Sequence, residues 1–203
     1  STVNVSNGVY NTGGADGYPT GPAGGGLFDG TSNRVAIYKV ITVRAASSDP
    51  ADTIIVGAPG TIGTNAPYGT GAVRCVYITN GASLHGFTLS NGYTRALHAP
   101  AGEPNTSLRG GGIFSGQGGT LSSGVTISNC VVKYNQSWYH GGGAMFGTFY
   151  DCTIAHNTSG AEYPGSAGGG GVNRGNLYNC RVISNWSKIR GGGGGVAGTT
   201  QGA

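Results

Sequence analysis

Acid–base chemistry in this chain would fall to seven carboxylates: Asp16, Asp29, Asp49, Asp52, Glu103, Asp151 and Glu162. A working pair must lie within about 10 Å, with one carboxyl neutral and the other ionised. No two of the seven are adjacent in sequence, and the nearest, Asp49 and Asp52, are split by Pro50 in a turn-like stretch. His85, His98, His140 and His156 show neither the H-x3-H nor the H-E-x-x-H spacing of a metal site. Cys75, Cys130, Cys152 and Cys180 form no C-x-x-C, and nothing in the pattern sets a base against a thiol. The expectation is therefore no catalytic residue, no cofactor and no metal, leaning away from an enzyme.

Three of the cysteines carry a different message. Asn129-Cys-Val-Val-Lys-Tyr-Asn135, Asp151-Cys-Thr-Ile-Ala-His-Asn157 and Asn179-Cys-Arg-Val-Ile-Ser-Asn185 align without gaps, 22 and then 28 residues apart. Each is followed by a variable stretch and a glycine run: 141–143, 168–171 and 191–195. A weaker copy is Phe87–Gly92 with the run 110–112. Apolar residues alternate inside each copy, with Cys152 and Ile154 on one face and Thr153 and Ala155 on the other. That is the period of a short strand.

Such short strands bury nothing alone, so identical coils must stack. The expected fold is all-β, a single right-handed parallel β-helix with coils of about 22–28 residues and long loops. One domain spans 1–203, less regular over 1–100 and glycine-rich and regular over 101–203. Strand-like runs in the first part are 35–44, 53–56, 73–78 and 84–89, with long loops at 11–32 and 94–110. Stacking predicts three structural ladders: Cys130, Cys152 and Cys180; Val132, Ile154 and Val182; Asn135, Asn157 and Asn185. Two short strands are expected per coil, and the glycines are expected to serve tight corners at positive φ. The stacked cysteines are either buried thiols or include a disulfide.

Composition narrows the partners. Eleven basic residues against seven acidic ones give a net charge of +4, and the basic ones never form a run, which argues against nucleic acid. The 43 glycines come in runs and not at every third position, so this is not collagen. No run of 18 apolar residues exists, so no membrane-spanning segment is expected. Asn105, in a loop, is the candidate glycosylation site among five N-x-[ST] matches, since the ladder Asn residues would face inward. Trp138, Tyr139 and Trp186 follow the Asn corner and are candidate contact aromatics.

The alternation of Gly-Gly-Gly-x-x with Asn-Cys-x-Ile-x-x-Asn resembles right-handed parallel β-helix repeat proteins of bacterial cell surfaces. It is similar to the Gly-Gly-Ala-Ile and Phe-x-x-Asn repeats of chlamydial polymorphic outer-membrane proteins. Asn7–Tyr10, Val40–Arg44 and Gly81–Leu89 look like the opening coils of pectate-lyase-like secreted proteins. The resemblance implies export and an extracellular or cell-surface life, but a solenoid fold hosts many functions. The leading expectation is a structural or adhesive β-solenoid, either a surface stalk or a filament subunit associating end to end. The alternative is a polysaccharide-binding or polysaccharide-cleaving protein of lyase or hydrolase type, with cell-surface glycans as partners. The chain closes on a glycine-rich stretch without a polar cap, so it is expected to be a fragment of a longer solenoid or to be covered by another subunit.

Overall fold

A computed structural model describes residues 1–16, 32–61, 66–79, 81–96, 108–117, 120–121, 124–160, 168–188 and 193–198. The chain climbs as a parallel β-helix, each turn laying a strand on the same face as the turn before. The first face stacks Thr2–Val5, Thr42–Ala45, Ser83–His85, Thr126–Ser128, Thr148–Tyr150 and Asn176–Tyr178. The second stacks Gly8–Tyr10, Thr53–Val56, Thr88–Ser90, Val131–Lys133, Thr153–Ala155 and Arg181–Ile183. A short third face holds Gln136–Ser137, Thr158–Ser159 and Trp186–Ser187. The fourth runs from Ser32–Ile37 through Val73–Ile78, Ile113–Phe114, Ala144–Met145 and Val172–Asn173 to Val196–Ala197. These pairings are all parallel; Ala15–Asp16 joins the fourth face antiparallel, and Gly116–Gln117 pairs antiparallel with Thr120–Leu121.

The later coils therefore contain four strand segments, not two. The coil length is also corrected for the first half. Thr126 lies on Thr148 and Thr148 on Asn176, steps of 22 and 28 residues, but Thr2 lies on Thr42 and Thr42 on Ser83, steps of 40 and 41. The extra length falls mainly between the second and fourth faces, where 10 leads to 32, 56 to 73 and 90 to 113. The run expected as one strand over 35–44 breaks at 38–41, so that Ser32–Ile37 serves the fourth face and Thr42–Ala45 the first. The run over 84–89 likewise breaks at Gly86, whose φ of 84° turns the chain.

Corners are made by single residues in the left-handed conformation. Before the second face stand Asn129, Asp151 and Asn179, with φ of 48°, 54° and 50°. Past the second face stand Asn91, Tyr134, His156 and Ser184, with φ between 51° and 58°. Asn and Asp tolerate this region because a short polar side chain bonds locally; a Tyr, His or Ser pays about 1–2 kcal/mol. Tyr134 and His156 recover part of that by stacking, their rings 5.1 Å apart at 14°.

The glycine runs serve the expected corners only in part. In the runs 110–112, 141–143 and 168–171 one glycine has positive φ, as Gly141 does at 62°, but its two followers do not. What they supply is absence of bulk. A Cβ on Gly142 would lie 2.3 Å from the Thr158 carbonyl oxygen, and one on Gly170 would lie 2.4 Å from that of Trp186. The glycines thus press flat against the third face, where no side chain fits between two backbone layers. Apolar columns fill much of the interior, with Leu84, Ile127 and Phe149 in one buried column and Leu89, Val132 and Ile154 in another.

Candidate functional site

Most of the repeat's polar chemistry points inward. Val132 pairs with Ile154 and Ile154 with Val182, which brings Asn135, Asn157 and Asn185 into one column three residues later. The Oδ1 of Asn157 accepts from both the backbone N–H and the Nδ2 of Asn135, each at 3.0 Å. Asn185 Oδ1 does the same for Asn157 at 2.9 Å. Each Nδ2 also donates to a carbonyl of the preceding coil: Asn135 to Leu89, Asn157 to Val132 and Asn185 to Ile154. Asn135 and Asn157 are wholly buried, so these bonds replace water for every side-chain amide atom they desolvate. Above Asn135 the column holds Gly92, and the Cys75 thiol lies 3.4 Å from the oxygen that an amide nitrogen would otherwise meet.

Cys130, Cys152 and Cys180 sit on one inward column under Phe87, because Thr153 N–H bonds Cys130 O and Arg181 N–H bonds Cys152 O. All four cysteines are free thiols. Burial pushes the Cys75 thiol up to about 12, and its hydrogen bond to Cys130 together with burial pushes Cys152 up as well. These groups are apolar core atoms, not nucleophiles.

The described carboxylate side chains are engaged locally. Asp49 Oδ1 accepts from the Ala51 N–H, 2.9 Å away, at the start of the 3-10 turn Pro50–Asp52. Asp52 Oδ2 accepts from the Ser47 hydroxyl at 2.6 Å, and Asp151 Oδ1 accepts from Asn179 Nδ2. Asp29, Glu103, Glu162, His98 and the glycosylation candidate Asn105 lie outside the described residues, as does the Asp16 side chain. Among the described residues no three His, Cys, Asp or Glu side chains gather as metal ligands would, and no helix is long and apolar enough to cross a membrane.

The contact aromatics take three different positions. Trp138 is half-buried and packs edge-on against Tyr68, centroids 5.4 Å apart. Tyr68 donates to Gln136 Oε1 and Gln136 Nε2 donates to Tyr93, which ties this patch into the fold. Tyr139 packs on His140 with its ring 5.9 Å from the Arg109 guanidinium. Trp186 pairs with Thr158, in a different column from Trp138, and is 64% exposed. Tyr150 and Tyr178 add an outward stack on the first face, rings 5.0 Å apart at 13°. Apart from the Tyr139–His140 contact, sequence reasoning passed over these partnerships because they join residues from different coils.

Fold and surface define a parallel β-helix with hydrogen-bonded interior ladders. No family model matches the chain, and neither a characterised protein nor a solved structure does.

Proposed function

We propose that this chain is a structural or adhesive β-solenoid of an extracellular or cell-surface setting, a length of stalk or a filament subunit stacking end to end. One observation carries the reading. The last described coil keeps the register of the coils before it, yet Leu177, Cys180, Val182 and Val196 are only partly buried where Phe149, Cys152, Ile154 and Val172 are closed over. A further coil in the same register would bury these columns and extend the Asn ladder. Among the described residues no strand pairs with the outer edge of this coil, and such open edges favour an addition. The repeat's likeness to bacterial cell-surface β-helix proteins supports the setting.

Sedimentation and negative-stain imaging of the purified chain at rising concentration test the filament form. Mass rising with concentration, and fibres that disappear in a Val182→Lys variant, support it. A monodisperse 20.2 kDa species at every concentration leaves the stalk form alone. The contact is between unlike ends and would propagate unless it closed into a ring.

A further inference from the structure

The Asn ladder has a direction, and its two ends differ. Asn135 donates from its backbone N–H and its Nδ2 to Asn157 Oδ1, and Asn157 donates in the same way to Asn185. At the opening end the ladder is closed, because the Gly92 N–H donates to Asn135 Oδ1 at 2.8 Å. At the other end Asn185 gives one Nδ2 hydrogen to the Ile154 carbonyl. Among the described residues nothing accepts from its second Nδ2 hydrogen or from its backbone N–H. The last described coil therefore presents two interior N–H donors together with the half-buried Leu177, Cys180 and Val182. Whatever covers this coil must bring an acceptor to the place of an Asn Oδ1, or leave both donors desolvated and unbonded.

Neither end of a second copy brings one. The first coil joins the columns through Tyr10, which pairs with Ile55, as Ile55 does with Leu89 and Leu89 with Val132. The ladder Asn stands three positions after Val132, whereas three positions after Tyr10 stands Gly13, without a side chain. The corner is also of another size. From first face to second, the step is five residues between Thr148 and Thr153 and between Asn176 and Arg181, but seven between Thr2 and Val9. The start of the fourth face is occupied as well, since Ala15 and Asp16 lie antiparallel on Asn33 and Ser32. Val35 and Val196 are the two ends of one column, so the run 193–195 of a stacked copy would have to lie on that same edge. Two last coils meeting face to face fare no better, because they set N–H donors against N–H donors.

We infer that the last described coil is a docking surface for one further coil of this same repeat, and that it rejects a second copy of the chain. A coil built like 148–175 has what the first coil lacks. Its Asn offers Oδ1 to both open donors, and its five-residue step matches the corner. Its Phe, Cys and Ile fall on Leu177, Cys180 and Val182, as Phe149, Cys152 and Ile154 do in the coil before. Main-chain pairing along the edges adds adhesion with little preference for sequence, so the amide acceptor and the corner decide which coil is accepted. This inference rests on the proposed solenoid reading and narrows it from filament to stalk.

The partly covered Cys180 reports on the surface, while the buried Cys75 reports on the fold beneath it. In one variant the full chain through Thr199 is followed by a second copy of residues 148–175, with Cys152→Ala in that copy alone. Labelling of Cys180 by a thiol reagent should slow about tenfold or more against the parent chain, with Cys75 unlabelled in both. The thermal unfolding midpoint should rise. Asn157→Ala in the appended copy should return most of the labelling rate, and an extension made of residues 1–37 should give neither protection nor a higher midpoint. Equal protection by residues 1–37, or protection that survives Asn157→Ala, overturns the inference. Sedimentation of the parent chain keeps the two readings apart. Fibres overturn the rejection of a second copy but keep the end-to-end solenoid, whereas a monomer whose repeat extension leaves Cys180 open overturns both.

Discussion

Single residues here are governed by what the coil interior does to a polar or ionisable group. The Cys75 thiol, pushed up to about 12 by burial, carries no thiolate at neutral pH, and Cys130 and Cys152 are as deeply enclosed. Cys180 is only partly covered, although burial raises its pKa too. A thiol reagent at pH 8 should label Cys180 first and the other three only on unfolding; rapid native labelling of Cys75 would contradict the described core. His140 gives a pH dependence of definite sign. Burial lowers its folded pKa to about 4, below the ordinary 6.5, so the unfolded chain binds the proton more readily as pH falls from about 6.5 to 4. Stability should drop over that window, by about 1–2 kcal/mol after allowing for its partial exposure. Chemical denaturation at pH 7 and pH 4.5 measures it, and His140→Gln should flatten the difference.

Elements cohere through their columns, so a substitution is felt one coil away. Asn157→Ala leaves the backbone and side-chain N–H groups of Asn135 facing a buried methyl in place of Asn157 Oδ1. It also frees the Val132 carbonyl, whose bond to Asn157 Nδ2 is lost. Each stranded buried group costs about 1–3 kcal/mol, so a loss of at least 3 kcal/mol is expected by urea denaturation. Asp in place of Asn sets a buried carboxylate against the Val132 and Asn185 oxygens, and should cost at least as much at neutral pH. Gly143→Ala strikes the same column from the opposite side. Its Cβ would stand 2.6 Å from the Gly171 oxygen and 2.9 Å from Asn157 Nδ2. Backbone on one side and a fully bonded amide on the other leave it nowhere to move. A cost comparable to that of Asn157→Ala is expected; a neutral effect would show that the glycine runs are held less tightly than described.

Across the whole molecule, the same substitution should weigh differently by height in the stack. Ile154 and Val182 are successive members of one column, the first wholly buried and the second partly covered. Ile154→Ala should cost about 2–5 kcal/mol, as for a closed core position. Val182→Ala should cost clearly less in dilute solution. If a second copy covers that coil, its cost should grow with protein concentration, because association adds stability by mass action. Thermal unfolding at two concentrations separates these cases.

The sequence alone determined the columns. A repeat of fixed internal spacing can satisfy its apolar, Cys and Asn positions at once only by stacking, so Val132, Ile154 and Val182 were legible as a ladder. The alternation in Cys152–Ala155 was enough to mark a strand, and the variable stretch between Asn and glycine run marked the tolerant corner. Tertiary structure alone decided what alternation cannot encode. The left-handed corners at Tyr134, His156 and Arg174 carry no local signature, because stacking between coils overrides intrinsic backbone preference. The glycines proved to be needed for the close approach of another face, a distance set by the coil's cross-section.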